Sequence, residues 1–211
     1  GDLFVHLLTG IHHATSSNGP TKVAAMGGLR YWDDGRDVPD VILGLLDYQA
    51  NDSHPEFTVS LQCSFEDGGG DATIFRFVGD EGVISTDLNS LTVERRGITW
   101  PTPEQELKGY NSVQTFSKAQ QEAIAQKLAS ERRKSTNLSN YTGPGKFAAP
   151  AGYDPRYDHF VRFFASVREG KPVYEDAVFG YRAAAPALLC NESYAQNKMI
   201  GWDPVNMKLT S

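Results

Sequence analysis

Alternation of apolar and polar residues is clearest from Phe57 to Phe65, where every second residue is apolar. This period of two predicts a β-strand with one face on a core and the other on solvent or a polar site. Further strands are predicted by less regular runs at residues 22–32, 41–48, 73–78, 83–88 and 91–95. Gly- and Asp-rich turns at 67–71 and 79–82 join successive runs, so the pattern predicts an antiparallel meander.

Helical patterns lie at both ends of the chain. The apolar opening predicts a helix that the turn-forming residues 14–20 end, and Ser117 opens a polar helix that extends to about Lys134. Asp154 and Pro155 begin another helix, and Gly170 ends it. The last helix is predicted over 177–198. Its Pro186 predicts a kink or break.

Strands followed by helices favour an α+β fold, an open and mainly antiparallel β-sheet with helices packed on one face. The helix that begins at Asp154 has an apolar stripe, which we expect to lie in the core: Phe160, Phe163, Phe164 and Val167. The tail from Trp202 onward is expected to add an edge strand.

Composition narrows the class of protein. The net charge of −6 provides no basic field for a nucleic acid, and no apolar run approaches the ~18 residues of a membrane span. Cys63 and Cys190 belong to no CxxC pair, so buried free thiols are expected. The glycines at 68–70 and 79–82 lie between strands, whereas a dinucleotide fingerprint lies between a strand and a helix. The sequence therefore predicts no Rossmann unit or P-loop here.

Three of the five histidines lie within eight residues of each other: His6, His12 and His13. Because histidine titrates near neutrality, this segment is a candidate for proton transfer or metal ligation. A metal hydrolase that uses all three remains an alternative, although one helix cannot direct them all to one ion without a break at Gly10.

The loop at 33–40 contains four carboxylates and an arginine. These charged groups could bind a polyhydroxylated substrate, but the same composition is typical of a solvent-exposed turn. The candidate substrate-binding residues are His6, His13, Arg30, Trp32, Asp33 and Arg36. Because glycoside hydrolases use a pair of carboxylates, a glycoside hydrolase also remains an alternative.

The chain opens at Gly1 directly on an apolar helix, without Met or a capping residue. This start predicts that residues 1–211 are one domain of a longer protein.

Several short motifs resemble, in order, the C-terminal domain of the Gfo/Idh/MocA family, the relatives of glucose-fructose oxidoreductase and inositol dehydrogenase. The motifs are Gly1-Asp2-Leu3-Phe4, Gly10-Ile11-His12, Gly19-Pro20-Thr21-Lys22-Val23, Phe77-Val78-Gly79-Asp80-Glu81-Gly82, Gly170-Lys171-Pro172, Glu175-Asp176 and Glu192-Ser193.

The resemblance implies a parent with an N-terminal domain that binds NAD or NADP, followed by this domain, which shapes a sugar or cyclitol pocket and forms a homo-oligomer through its open sheet. The segment Leu8-Thr9-Gly10-Ile11-His12 is similar to the family's D-x-G-x-H pattern and places His12 at the catalytic histidine. Leu8 occupies the position of the family's aspartate. The histidine would act as general base toward a substrate hydroxyl, and this chain alone is expected to be inactive.

Two further interpretations stay open. A carbohydrate-binding or oligomerisation module without catalysis is favoured by the missing aspartate. A glycosidase that depends on NAD is also compatible, because some relatives of the family cleave glycosidic bonds.

Overall fold

The computed structural model describes residues 2–65, 73–87, 90–96, 101–130 and 145–210. It divides into two compact units, one formed by residues 1–71 with 154–211 and the other by residues 72–153. In chain order, the described residues form α1 (Asp2–Thr15), β1 (Lys22–Gly28), β2 (Val41–Tyr48), β3 (Phe57–Ser64), β4 (Phe75–Gly79), β5 (Gly82–Thr86), β6 (Ser90–Arg95), α2 (Pro103–Leu107), α3 (Lys118–Ser130), β7 (Lys146–Ala148), α4 (Pro155–Glu169), α5 (Ala177–Gln196), β8 (Ile200–Asp203) and β9 (Lys208–Thr210).

The first unit contains an antiparallel sheet with the strand order β3-β2-β1-β8-β9. In β1, β2 and β8 alternate residues are buried on the inner face, as the period of two predicts, and Val23 lies opposite Leu46. Helices α1 and α5 contact each other, and α5 also contacts β1. The predicted α+β class, an open antiparallel sheet with helices on one face, is confirmed.

Helix α1 packs one face against the core. The buried residues of this face recur at helical spacing: Phe4, Leu8, Ile11 and His12. Strand β2 and helix α5 approach closely at Gly44, where a Cβ would lie 3.0 Å from the Cys190 sulfur. Cys190 is a buried free thiol, whereas Cys63 is free but only half-buried.

The outer face of the same sheet is exposed and partly apolar. Met26 lies opposite Leu43 and Ala24 opposite Leu45, and the side chains of Met26, Leu43 and Leu45 are exposed. Neighbouring strand β3 presents polar residues there, which include Ser60.

The second unit contains a separate antiparallel sheet, in the order β4-β5-β6-β7. The hairpin at Gly79 and Gly82 is confirmed, since these residues face each other across β4 and β5. The predicted single meander is wrong, because β3 and β4 belong to different sheets. The turn at 67–71, on which that prediction depended, lies outside the described residues.

Local signals located most helix ends correctly. The Asp154 carboxylate accepts backbone hydrogen bonds from Arg156 and Tyr157 at the start of α4, and Gly170 ends that helix in the left-handed conformation. The structure also contains elements that the sequence did not predict, among them α2 and β7, and the tail forms two strands, β8 and β9, where one was expected. The sequence predicted a kink or a break at Pro186. Helix α5 continues through Pro186, so the break is wrong and a kink stays compatible with the structure.

The expectation that the aromatic stripe of α4 lies in the core is wrong. No described residue of α4 is buried, and Phe160, Phe163, Phe164 and Val167 are all exposed. The physical reason is that helical periodicity shows which residues share a face but not whether anything covers that face. Among the described residues, no helix combines the length and the apolar character needed to cross a lipid bilayer.

Candidate functional site: the His12–Tyr48 pair and the adjoining cavity

His12 lies in the core beneath the sheet, where only 1% of its surface is exposed. Its Nε2 is 2.9 Å from the hydroxyl of Tyr48, the last residue of β2, which is itself fully buried. The other ring nitrogen, Nδ1, is buried and has no hydrogen-bond partner among the described residues. One nitrogen of the imidazole is therefore satisfied and the other is not.

Burial determines the charge of this pair. Desolvation, followed by the charges of Arg182 and His54, lowers the pKa of His12 from 6.5 to about 4. Burial also raises the pKa of Tyr48, so its hydroxyl stays protonated. At neutral pH both side chains are uncharged, and the imidazole is in the form that can accept a proton.

Aromatic rings continue from this pair toward a second histidine. Tyr48 stacks on Phe57, with ring centroids 4.5 Å apart, and Phe57 meets the edge of His54. Both ring nitrogens of His54 have partners, since Nε2 lies 2.9 Å from the Asn51 amide and Nδ1 lies 2.7 Å from the Pro55 carbonyl.

Tyr48 and His54 were not among the candidates from sequence. Residues 12 and 48 meet only through the packing of α1 on β2. No local signal in the sequence links them.

A cavity of about 970 Å³ adjoins this cluster, at the end of the sheet where β1 begins and β2 ends. Gly19 and Trp202 both line it. A Cβ on Gly19 would lie 3.9 Å from the indole nitrogen of Trp202 and 4.0 Å from Cε1 of His12. The cavity therefore borders the Trp202 side chain and lies close to the buried histidine. Neither Gly19 nor Trp202 was assigned to a site from sequence.

The loop at 29–40 is organised by Asp40, which is 1% exposed. The Asp40 carboxylate accepts three consecutive backbone N–H bonds, from Arg30 at 2.7 Å and from Tyr31 and Trp32 at 2.8 Å. Burial alone would raise the pKa of Asp40, but the N–H bonds from Trp32, Tyr31 and Arg30 outweigh burial and lower it. Asp40 is thus a charged residue that holds the loop together.

The residues outward of Asp40 form an exposed group. The Arg36 guanidinium lies 5.0 Å from the centre of the Trp32 ring and pairs with the Asp34 carboxylate. That pairing lowers the pKa of Asp34. Arg30 and Asp33 are exposed in the same loop, which therefore contains four predicted substrate-binding residues, and Trp32 and Arg36 are the two that the structure shows in contact.

The structure does not bring that group together with His12. The loop joins β1 to β2 at the Val41 end of β2, whereas His12 contacts the Tyr48 end. Eight residues of extended strand separate the two ends by about 23 Å. The candidate residues from sequence therefore form two clusters rather than one pocket.

The remaining histidines of α1 point away from His12. His6 is exposed, and exposed His13 lies 2.7 Å from the Tyr174 hydroxyl. Among the described residues, no three His, Cys, Asp or Glu side chains are grouped to hold a metal ion. The alternative of one ion bound by His6, His12 and His13 has no geometric support here.

Leu8 lies one turn before His12 and is fully buried in the core. The position that the resemblance assigns to an acid is thus an apolar packing position in this chain. Burial and the electrostatic effects of Arg182 and His54 account for the lowered pKa of His12, and no carboxylate among the described residues offsets them.

No family model matches this chain, and no curated protein matches its sequence. Solved structures match its fold. An oxidoreductase from Sinorhizobium meliloti superposes with a TM-score of 0.55 at 16% identity, over 94% of this chain and 51% of its own. An oxidoreductase from Agrobacterium radiobacter, in complex with NAD+, L-tartaric acid and magnesium, superposes with a TM-score of 0.51 at 12% identity, over 93% of this chain and 47% of its own. The likeness shows a shared fold, and the chain spans about half the length of these structures.

Proposed function

We propose that this chain is the substrate-side domain of an NAD(P)-dependent oxidoreductase of the Gfo/Idh/MocA family, which acts on a hydroxyl of a sugar or cyclitol. The observation that carries the proposal is the fold shared with oxidoreductases about twice as long as this chain. The solved structure from Agrobacterium radiobacter contains NAD+ and L-tartaric acid, and its NAD+ supports a nicotinamide cofactor for the complete protein.

The nicotinamide cofactor, NAD or NADP, would be bound mainly outside this chain. A pyrophosphate cradle needs a glycine-rich turn between a strand and the N-terminus of a helix. The described turn from Gly79 to Gly82 joins two strands instead, so these residues do not fit a dinucleotide. The contribution of this domain would be to bind the substrate and to hold a proton acceptor.

His12 is the residue we propose as the general base. Its pKa of about 4 keeps the imidazole neutral at pH 7, as a proton acceptor must be, but the same burial disfavours the protonated ring. Its 1% exposure means that a substrate hydroxyl can reach it only if the ring becomes accessible in the complete enzyme. Accessibility of His12 is therefore a necessary condition of this role.

The first experiment is to sequence the intact gene product and to measure NAD(H) binding by calorimetry with that product and with residues 1–211. We expect the longer protein to bind NAD(H) and residues 1–211 not to bind it. Absence of an upstream nucleotide-binding domain would refute the oxidoreductase proposal.

Turnover by the longer protein then tests the histidine. His12→Ala should abolish most activity. His159→Ala is the comparison, because it is a change of the same kind at an exposed site on α4 that belongs to no candidate site. Full activity of His12→Ala would remove His12 from the mechanism. Reaction of His12 with a histidine-modifying reagent in the longer protein, followed by mass spectrometry, measures its accessibility.

A module without catalysis is the second candidate, and Leu8 is the observation that favours it. Among the described residues no carboxylate affects the pKa of His12, so none is placed to share a proton taken from a substrate. This candidate expects sugar binding by a longer protein that has no turnover with any nicotinamide cofactor.

We further propose that the outer face of the five-stranded sheet associates with a second copy of the chain. Exposed Met26, Leu43 and Leu45 make a contiguous apolar surface, which is typical of association sites. Leu45→Glu should reduce the mass measured by light scattering. Val78→Glu is the control, because Val78 is an exposed strand residue of the second unit. An unchanged mass for Leu45→Glu would contradict this interface.

A further inference from the structure

We propose that the aromatic face of α4 is an interface within the complete protein, covered by the part of the longer protein that lies outside residues 1–211. The face consists of exposed side chains at helical spacing: Tyr157, Phe160, Phe163, Phe164 and Val167. The inference goes beyond the proposed function and rests on it only for the existence of that further part.

Helix α4 has well-defined ends but no packed face. Asp154 caps its first turn, and Gly170 ends it in the left-handed conformation. In the first unit α1 packs on α5 and α5 packs on β1, whereas α4 packs extensively on none of the described elements of that unit. Because helices in proteins gain most of their stability by packing one apolar face, we expect a further surface to cover α4.

The aromatic face points away from the more covered side of the helix. The least exposed residues of α4 lie together on the opposite side: Asp158, Ala165 and Ser166. On the aromatic face Phe160 is 58% exposed, and its ring stacks on that of Phe164 with centroids 6.3 Å apart. A contiguous aromatic surface of this kind is typical of the centre of a protein interface.

The charges beside the aromatic face disfavour a second copy as its partner. Arg156 and Arg168 lie near opposite ends of the face, are exposed, and form no ion pair with a described residue. Asp158 lies on the other side of the helix, where it pairs with Arg162. A parallel pairing of two copies would place each arginine beside its own equivalent, and an antiparallel pairing would bring Arg156 toward Arg168. Like charges that meet across an interface oppose association.

The partner that fits this face is an apolar surface bordered by carboxylates, on the same polypeptide. The solved structures that share the fold are about twice as long as this chain, so a protein built like them has a further part of similar size. A part joined covalently to α4 is present at a high effective concentration, so it can cover the face without a second molecule. The outer face of the five-stranded sheet is formed by other residues and stays available for a second copy.

The test is hydroxyl-radical footprinting of the intact gene product in the absence of NAD(H), with mass spectrometry to locate the oxidised side chains. Each oxidation rate is divided by the rate of the same side chain in the urea-unfolded protein, and the experiment is done at a low and a high protein concentration. We expect Phe160, Phe163 and Phe164 to be protected at least about fivefold, because the centre of an interface is shielded from water. Tyr110, which is fully exposed, should not be protected.

A charge reversal tests the chemistry of the partner. Arg168→Glu places a negative charge against the expected carboxylates, so oxidation of the three phenylalanines should rise by about threefold or more. Arg162→Glu is the matched control, because Arg162 is an exposed arginine on the other side of the same helix. Circular dichroism establishes that both variants are folded.

The proposal is supported if the phenylalanines are protected equally at both concentrations and only Arg168→Glu exposes them. It is overturned if they are oxidised as fast as Tyr110, or if protection grows with concentration, which would make a second copy the partner. It is also overturned if folded residues 1–211 alone show the same protection, because the cover would then belong to this chain. No effect of Arg168→Glu, or an equal effect of Arg162→Glu, would overturn the acidic partner.

These outcomes are separate from those of the oxidoreductase proposal. A longer protein that protects α4 but does not bind NAD(H) would support the interface and refute the nucleotide-dependent function. A longer protein that binds NAD(H) while the three phenylalanines stay exposed would do the reverse.

Discussion

The two ends of strand β2 show two opposite ways of burying an ionisable side chain. At the Tyr48 end, His12 makes one hydrogen bond, and burial lowers its pKa so that the ring stays neutral. At the Val41 end, Asp40 is equally buried, but three backbone N–H bonds keep its carboxylate charged. The number of hydrogen bonds decides whether the buried group keeps its charge.

The difference separates a reactive environment from a structural one. His12 has an unpartnered ring nitrogen and is neutral at pH 7, so its ring can still form one further hydrogen bond. The hydrogen bonds of Asp40 are directed to its own loop, and its effect is to order the exposed residues around it. The proposed general base therefore lies at the His12 end, whereas the hydrogen bonds of Asp40 give it a role in shaping the loop.

The largest expected effect tests the packing at the His12 end. Tyr48→Ala removes a fully buried ring that stacks on Phe57, and should lower the free energy of unfolding by about 3–5 kcal/mol. Tyr48→Phe keeps the ring and leaves Nε2 of His12 unpaired, which should cost about 1–3 kcal/mol. Urea unfolding measures both. A loss below about 1 kcal/mol for Tyr48→Ala would contradict the buried cluster.

The next effect is the pH dependence that His12 imposes. Because the pKa is 6.5 when unfolded and about 4 when folded, the unfolded chain binds more protons between these values, and stability rises with pH there. The contribution is complete above pH 6.5 and is lost as pH falls through 4. Since one pKa unit corresponds to about 1.4 kcal/mol, the loss should approach roughly 3 kcal/mol.

Urea unfolding at several pH values measures this dependence, and His12→Leu is the matched variant because it fills the site without a titrating group. The variant should lose the part of the slope that His12 contributes. An identical slope in both proteins would show that His12 does not titrate as its burial requires.

Much of the fold follows from local pattern. The alternation from Phe57 predicts β3 and the side of it that faces inward, and the capping residues Asp154 and Gly170 give both ends of α4. These signals succeed because strand pleating and helix capping depend on neighbouring residues. The assignment of strands to two sheets failed, because pairing between distant strands has no local signature.

The candidate site was predicted only in part for the same reason. The histidines of α1 drew attention to His12, and the loop at 33–40 was recognised by its charges. Tyr48 meets His12 across 36 residues, and Trp202 approaches Gly19 from the far end of the chain. Such contacts arise from packing, so neither Tyr48 nor Trp202 was found from the sequence.

A smaller effect on stability is expected at the Val41 end of β2, where Asp40 is charged. Asp40→Asn keeps the shape of the side chain but removes the charge and one acceptor oxygen, so the amides of Arg30, Tyr31 and Trp32 lose charge-assisted bonds. We expect the melting temperature to fall by several degrees and these three amides to exchange hydrogen faster. Asp34→Asn is the control, because Asp34 is exposed and pairs only within the loop. Equal exchange in both variants would contradict the role of Asp40.

The smallest expected effect concerns the exposed surface that Asp40 orders. Trp32→Phe removes a 3.3 Å hydrogen bond from the indole to the Phe65 carbonyl but keeps a ring beneath Arg36. Because the side chain is 41% exposed, water can replace that bond, and the free energy of unfolding should change by no more than about 0.5 kcal/mol. Urea unfolding beside Trp202→Phe makes the comparison direct. If Trp32→Phe lowers the free energy of unfolding more than Trp202→Phe does, this prediction is wrong, and the indole of Trp32 contributes more to stability than that of Trp202.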